Sequence, residues 1–318
     1  MTALSVGRPG LLTTIQDLGR AGQRSWGVPP SGAMDRFAAA AANLLVGNPE
    51  GAALLECTLT GPQLTAAEPC LVAVTGADMS PHLNGREVPG WTSLLMAAGD
   101  TLGFGRLRSG ARAYIAVAGG LQGDAWLGSL STYMPASKGG LEGRPLRAGD
   151  LIRCGPARAT GIAGRTLGRD LRPSYGSQVT LCAVPGPHLG RLSPASRSAL
   201  WRTSFQVAAE ADRMGYRLDG PALDVRDQEL LSFGLTTGSI QVPPSGHPIM
   251  LMADHQTAGG YPAVAGVGRA WLPLAAQLLP GAEVRFKQVT VSAAQAEWRR
   301  MQSTLDPLRG RLDGRVVG

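Results

Sequence analysis

Lysine is nearly absent from this chain. Of its 30 basic residues only Lys138 and Lys287 are lysine, and the others are arginine. Arginine grips carboxylates and phosphates through two parallel bonds. Here, though, the arginines are scattered, so the net charge of +7 does not outline a nucleic-acid surface. Aromatic residues are also few, at 5%, which argues against a stacking platform for bases. The basic, glycine-rich end that includes Arg309, Arg311 and Arg315 reads as a frayed terminus rather than a nucleic-acid arm.

Other absences narrow the chemistry. The four cysteines, Cys57, Cys70, Cys154 and Cys182, have no CxxC spacing and sit in apolar runs, as small core residues of a reducing compartment do. The histidines His82, His188, His247 and His255 show no HxH or HxxxH spacing, so no metal site is expected. Neither a GxxxxGK[ST] phosphate cradle nor a GxSxG nucleophile elbow occurs. No apolar run is long enough to span a bilayer, and no basic start leads into an apolar leader segment. A cytoplasmic protein with no membrane and no nucleic-acid partner is expected.

What the chain does have is 44 glycines, 23 prolines and 44% apolar residues over 318 positions. That length suits two domains. The punctuation predicts short strands joined by tight turns, hence a mainly β, β-rich α+β fold in two lobes. Strands are expected over 71–75, 114–118, 151–154, 179–184, 249–252 and 284–291, the last with a slip at Gln288 that a bulge would explain. Helices are expected over 35–46 and 272–279, and from Ser292, where Gln295 completes a capping box. Three turns repeat one habit, with Gly99-Asp100, Gly149-Asp150 and Gly281-Ala282-Glu283 each leading into an apolar strand. The expected division is 1–174 as an N-terminal β-rich lobe, 175–305 as a C-terminal barrel lobe and 306–318 as a flexible basic tail.

Two polar, glycine-punctuated segments stand out as candidate sites. Residues 10–35 carry Gln16, Asp17, Arg20, Ser31 and Asp35 between glycines. Residues 254–262 carry Asp254, Gln256, Thr257, Gly259, Gly260 and Tyr261 directly after an expected strand. Polar side chains at a strand end followed by Gly-Gly offer a rigid base and close backbone approach to a ligand. An elaborate turn with an aspartate cap accounts for the second segment equally well. Ser239 and Gln241 add polar groups just upstream, and Asp78 ends another strand, where a carboxylate is usually a turn former. The segment around Asp212 and Arg213 reads as a loop shaped by an internal ion pair.

These segments resemble the biotin-dependent carboxyltransferase family, which includes allophanate hydrolase subunit 2 and the C-type subunit of 5-oxoprolinase. The likeness runs through residues 10–35, 42–48, Leu55-Glu56, 60–62, 75–78, 116–120, 139–146, 212–215, 238–243 and 254–262. It implies a cyclophilin-like β-barrel character and a B-type partner resembling allophanate hydrolase subunit 1. A third 5-oxoprolinase subunit would complete hydrolysis. The implied reaction is ATP-dependent opening of 5-oxoproline to glutamate by a chain inactive on its own. The alternatives are carboxyl transfer to urea or a related amide, and a regulatory role in binding a kinase inhibitor.

A lactam, urea and the ureido ring of biotin share an N–C=O unit. Activating it needs donors aimed at the oxygen and an acceptor for the N–H. Gln16, Asp17, Asp254, Gln256 and Thr257 are the expected catalytic residues. Arg20, Ser31, Asp35, Asp78, Ser239, Gln241, Gly259, Gly260 and Tyr261 are expected to bind substrate or ATP, and ATP brings Mg²⁺ for the carboxylates Asp17, Asp35, Asp78 and Asp254 to hold. Biotin would come only on another chain, since neither lysine follows a methionine. The chain departs from the family pattern at Leu130 and His255, where Arg is frequent, and at Ala258, where Thr is frequent. Gln16 and Asp17 are expected to face Gln256 and Thr257 across one cleft.

Overall fold

The computed structural model describes residues 3–157, 162–226 and 230–310. The described chain forms two compact units. The first comprises the described residues of Met1–Arg20, Ser31–Pro173 and Thr304–Gly318; the second comprises those of Ala21–Pro30 and Ser174–Ser303. The main division at Pro173/Ser174 lies beside the expected one, but two segments change sides. Residues 21–30 belong with the second unit. The start of the expected tail is ordered in the first unit, where Asp306–Arg309 forms a short helix, Leu308 is buried and Arg309 Nε bonds Glu50 Oε1 at 2.6 Å. Residues 311–318 of that tail lie outside the described residues.

The first unit holds eleven strands: β1 (Ala3–Arg8), β2 (Leu12–Gln16), β3 (Leu54–Thr58), β4 (Gln63–Ala66), β5 (Cys70–Asp78), β6 (Pro81–Leu83), β7 (Arg86–Glu87), β8 (Thr92–Met96), β9 (Thr101–Phe104), β10 (Ser109–Val117) and β11 (Leu151–Arg153). They form a six-stranded sheet in the order β11-β1-β4-β9-β6-β7 and a five-stranded sheet in the order β2-β3-β10-β5-β8. One core joins residues of both, including Leu4, Val6, Leu64 and Leu102 from the first sheet and Ile15, Leu55, Val74 and Ile115 from the second.

The helix Arg36–Leu45 packs on β5 and β10. Every residue in it except Arg36 is buried, and five consecutive alanines let it lie close to the strands. The five-stranded sheet is therefore covered on both faces, which is why β5 and β10 read as continuous apolar runs rather than alternating ones. Two of the three repeated turns work through their acids. Asp100 Oδ2 accepts from Ala97 N and Asp150 Oδ2 from Arg147 N, both at 2.7 Å, each beside a glycine in the left-handed region.

The second unit holds β12 (Gln178–Pro185), β13 (Ser204–Val207), β14 (Gly215–Asp219), β15 (Phe233–Gly234), β16 (Ser239–Gln241), β17 (Ile249–Leu251), β18 (Ala258–Gly259), β19 (Ala263–Val267) and β20 (Glu283–Gln288). Seven of them close a barrel in the order β12-β19-β16-β17-β14-β13-β20. At its seam β12 runs parallel to β20. Inward alternation fills the barrel with Leu181, Phe205, Leu218, Ile240, Val284 and Phe286. Phe205 and Phe286 meet with ring centroids 6.0 Å apart.

Three local expectations change here. The final strand ends at Gln288 rather than running to 291, so the slip there is a strand end and not a bulge. The next helix, Val291–Ser303, is capped by Thr290, whose Oγ1 accepts from Ala293 N at 3.2 Å, rather than by Ser292. The helix expected over 272–279 spans only Leu272–Ala275.

Candidate functional site

Strand β2 delivers Gln16 and Asp17 beneath the loop 129–132. Asp17 is the centre of that crossing. Its carboxylate accepts from Gly19 N at 2.6 Å, Ser129 Oγ at 2.7 Å, Leu130 N at 2.7 Å and Ser131 Oγ at 2.5 Å. Four donors fill the lone pairs of a carboxylate. Gln16 is fully buried, and its amide donates to Thr14 Oγ1 at 3.1 Å and Thr132 O at 3.2 Å. Arg20 is buried as well; it donates to Ser131 O and lies 4.8 Å over the ring of Trp126, which stacks on Tyr133. Leu130 lends its amide to Asp17 and its side chain to the core.

The loop closes tightly enough to demand glycine. At Gly139, with φ +74°, an added Cβ would stand 2.2 Å from Ser131 O.

Ser31 and Asp35 sit where the chain enters the helix Arg36–Leu45. Ser31 adopts φ +52°, and its Oγ is buried with no hydrogen-bond partner among the described residues. Strain and an unpaired hydroxyl coincide at this one position. Asp35 caps the helix, its Oδ1 accepting from Ala38 N at 2.9 Å. Its own amide donates to Tyr114 Oη at 2.7 Å, and Tyr114 donates to Glu56 Oε2 at 2.9 Å. Glu56 also accepts from Met34 N at 2.8 Å. Burial first, then the Glu56 and Asp35 charges, push the Tyr114 phenol well above its usual value, so it stays a donor. Asp78 is elsewhere in this unit. It forms a turn by accepting from Ser80 N at 2.9 Å and lies 3.8 Å from Arg108.

In the second unit the segment 254–262 divides by depth. Asp254 is buried and held by Arg213, with Nε to Oδ2 at 2.8 Å and Nη2 to Oδ1 at 3.2 Å. The ion pair expected inside 212–218 is therefore a different one. Arg213 turns to Asp254, while Asp212 shapes its own loop by accepting from Met214 N and Gly215 N at 2.7 and 3.1 Å. His255 is buried too, with Nδ1 2.5 Å from Gln256 O.

From Gln256 onward the segment opens to solvent. Gln256 is exposed and Thr257, Gly259 and Gly260 are half-buried. Gln256 Nε2 donates to Gln241 Oε1 at 3.2 Å, and the buried Gln241 donates to Tyr261 O at 2.9 Å. Ser239 Oγ accepts from Thr236 N at 3.3 Å, which closes a turn. Gly260, Tyr261 and Pro262 line a cleft of about 540 Å³ together with Leu230, Leu231, Val242 and Pro244.

The expected residues thus fall into separate groups. Gln16, Asp17 and Arg20 come together at the 129–132 crossing; Asp35 joins Glu56 and Tyr114; Gln241, Gln256 and Tyr261 form a third set. Gln16 and Asp17 belong to the first unit and Gln256 and Thr257 to the second. The four carboxylates named for Mg²⁺ do not fit that ion. Asp17, Asp254 and Asp35 are engaged by protein donors, and Asp78 closes an exposed turn. Among the described residues no group of three or more His, Cys, Asp or Glu is placed to hold a metal ion.

Sequence reasoning missed Glu56, Tyr114, Ser129 and Ser131. A signal existed for Glu56, an acid inside the apolar stretch Leu54–Thr58. None existed for the serines, which are 112 and 114 residues from Asp17. Burial is the leading cause of a raised proton affinity at all four cysteine thiols. Burial pushes Cys70 up to about 11 and Cys154 up to about 12, and raises Cys57 further. No described helix is long and apolar enough to cross a membrane.

The same outline recurs in known proteins. The family described as carboxyltransferase domain, subdomain A and B, matches residues 26–288. The chain is 38% identical to the C-type subunit of 5-oxoprolinase from Escherichia coli over 97% of this chain and 98% of that protein. It is 36% identical to the corresponding protein of Haemophilus influenzae over 94% and 96%. The solved structure of the K. lactis urea amidolyase superposes with a TM-score of 0.91 at 27% identity, covering 96% of this chain and 20% of that one.

Proposed function

The chain belongs to the carboxyltransferase-domain family, subdomains A and B, and from that premise we propose that it is the C-type component of an ATP-dependent 5-oxoprolinase. The observation that carries this reading is the extent of the match. The likeness to the two bacterial 5-oxoprolinase proteins runs nearly end to end on both sides. In the urea amidolyase, by contrast, the matched part is only 20% of the chain. A carboxyltransferase role toward urea is the second reading, supported by that same superposition.

The geometry supports a division of labour. Gln16, Arg20 and Asp254, which are buried, and Asp17, which is half-buried, hold their loops in place through bonds to protein. Among the accessible groups, substrate contact falls to the Gln256 amide, the Thr257 hydroxyl, the backbone at Gly259 and Gly260, and Tyr261. Preorganised donors of this kind stabilise negative charge as it grows on a lactam oxygen. Gln241 aids this by fixing the Gln256 amide from behind. ATP and its Mg²⁺ are proposed to enter with the assembly rather than through the carboxylates of this chain. Accordingly the protein is inactive alone and works with a B-type partner and the third 5-oxoprolinase subunit.

The test is co-expression with those two partners, followed by a glutamate-release assay on 5-oxoproline with and without ATP. Glutamate that appears only with ATP and only in the complete assembly is the expected result. A complete, co-eluting assembly that forms none rules the reading out.

A further inference from the structure

We propose that His255 Nε2 is the hydrogen-bond acceptor for the N–H of the bound amide, which makes His255 a specificity-determining residue. The inference rests on the reading of residues 254–262 as an amide-binding segment. It adds to that reading a named atom for the half of the N–C=O unit that the donors leave unserved.

The neighbouring carbonyl fixes the tautomer. His255 Nδ1 lies 2.5 Å from the carbonyl oxygen of Gln256. A carbonyl oxygen only accepts, so Nδ1 carries the hydrogen. In a neutral ring the lone pair then stands on Nε2. The ring is neutral near pH 7, because burial lowers its proton affinity most and the Arg24 charge lowers it further. The bond to Gln256 O and the charge of Asp254 oppose them without reversing the shift.

Nε2 itself is buried and has no hydrogen-bond partner among the described residues. Buried polar side-chain atoms are nearly always paired in native proteins, and an unpaired one calls for an explanation such as a missing ligand.

The residues on either side of the ring are themselves tied down. The preceding Asp254 is locked by the two bonds from Arg213, and the His255 amide donates to Met252 O at 3.3 Å. The following Gln256 is tied to Gln241. Immediately after the ring the segment opens to solvent at Gln256, Thr257 and Ala258. Among the described residues no cluster of metal-ligating side chains surrounds the ring. A donor hydrogen on a small molecule bound at this segment would fill that position at Nε2. A site built to bond an N–H rejects an analogue that lacks it, because the buried acceptor is then left unpaired.

The experiment is a long-range proton–nitrogen NMR correlation on the full chain labelled at histidine nitrogens, alone and in the reconstituted assembly. The probes are 5-oxoproline, N-methyl-5-oxoproline and urea. The expected result is a protonated Nδ1 and an acceptor-type Nε2 whose resonance moves with 5-oxoproline and stays put with the N-methyl analogue. Wild type should prefer 5-oxoproline over the N-methyl compound by about 10-fold or more in affinity. His255→Leu should lose that preference, and His255→Gln, which retains an acceptor oxygen, should keep part of it.

A protonated Nε2, or an Nε2 signal that no saturating probe moves in either preparation, overturns the inference. Movement with urea but not with 5-oxoproline sustains it and removes the 5-oxoprolinase reading. Movement with 5-oxoproline in an assembly that forms no glutamate does the same. If His255→Leu does not fold, the wild-type spectra still decide.

Discussion

Tyr114 donates its hydroxyl to the Glu56 carboxylate at 2.9 Å, and the same oxygen accepts from the amide of Asp35 at 2.7 Å. One phenol in the middle of β10 thereby joins β3 to the start of the helix Arg36–Leu45. Tyr114→Phe keeps the ring but leaves a buried N–H and a buried carboxylate each short of a partner. A loss of about 1–3 kcal/mol in unfolding free energy is expected, measured by urea denaturation. A change below about 0.5 kcal/mol would mean that the network is not holding the helix entry.

Asp254 and Arg213 form a buried bidentate pair. Asp254→Ala leaves the guanidinium without that carboxylate and should cost about 3–5 kcal/mol. The double variant Asp254→Leu with Arg213→Met should recover much of that loss in the same denaturation measurement. Near-equal stability of wild type and Asp254→Ala would show that the pair is not closed in solution.

Asp17 accepts from four donors, and the isosteric Asp17→Asn presents an NH₂ group to at least one of them. The variant is expected to lower the thermal midpoint by several degrees, corresponding to about 1–3 kcal/mol. Hydrogen exchange at Leu130 N should rise with it, because that amide bonds Asp17 Oδ2 at 2.7 Å. Unchanged exchange at Leu130 would contradict the role given to Asp17.

Gly139→Ala is expected to destabilise by about 1–3 kcal/mol, because the residue combines φ +74° with a backbone oxygen 2.2 Å from the added Cβ. Gly22→Ala is the control. It has positive φ but nothing within 4 Å, so it should cost less. Equal losses in the two variants would mean that the 129–144 loop relaxes to admit the methyl group.

The pH dependence follows from His255 and His188. Burial is the leading cause of a lowered proton affinity for both, aided by Arg24 at His255 and by Arg191 at His188. The folded state therefore binds protons less readily than the unfolded state. Their contribution to stability is complete above the unfolded value of about 6.5 and is lost as pH falls through the folded values. Denaturation midpoints should decline below about pH 6.5, and less steeply in the His188→Gln variant. A midpoint that rises on acidification over that range would reverse the sign assigned here.

Much of the fold was legible in the chain because its signals are local. Glycines at 99, 149 and 281 adopt the left-handed backbone that their turns require, and the strands between such turns appear within a few residues of the expected positions. Boundaries failed where tertiary pairing overrode local pattern. Val289 and Val291 resume the alternation of β20 after a slip at Gln288, yet the strand stops at Gln288 and Thr290 caps the next helix. The site was less legible. A polar residue beside a glycine looks the same whether it will meet a ligand or another loop. Asp17 and Asp254 stood out as special, but their partners Ser129, Ser131 and Arg213 lie 41 to 114 residues away.

The sequence by itself determined the class of this protein: β-rich, in two units, with two glycine-punctuated polar segments and a family pattern running along nearly its whole length. The β-rich class and the turns follow from turn chemistry and side-chain periodicity, which act over a few residues, and the family pattern is a resemblance carried by its motifs. Only the tertiary structure decided which polar groups are spent on the fold and which stay accessible or unpaired. It set Gln16, Asp17 and Asp254 against protein partners, left Gln256 and Thr257 accessible, and placed His255 with one nitrogen paired and the other not. The physical reason is that hydrogen-bond satisfaction depends on contacts between distant segments, and no local pattern encodes which donor will fill which lone pair.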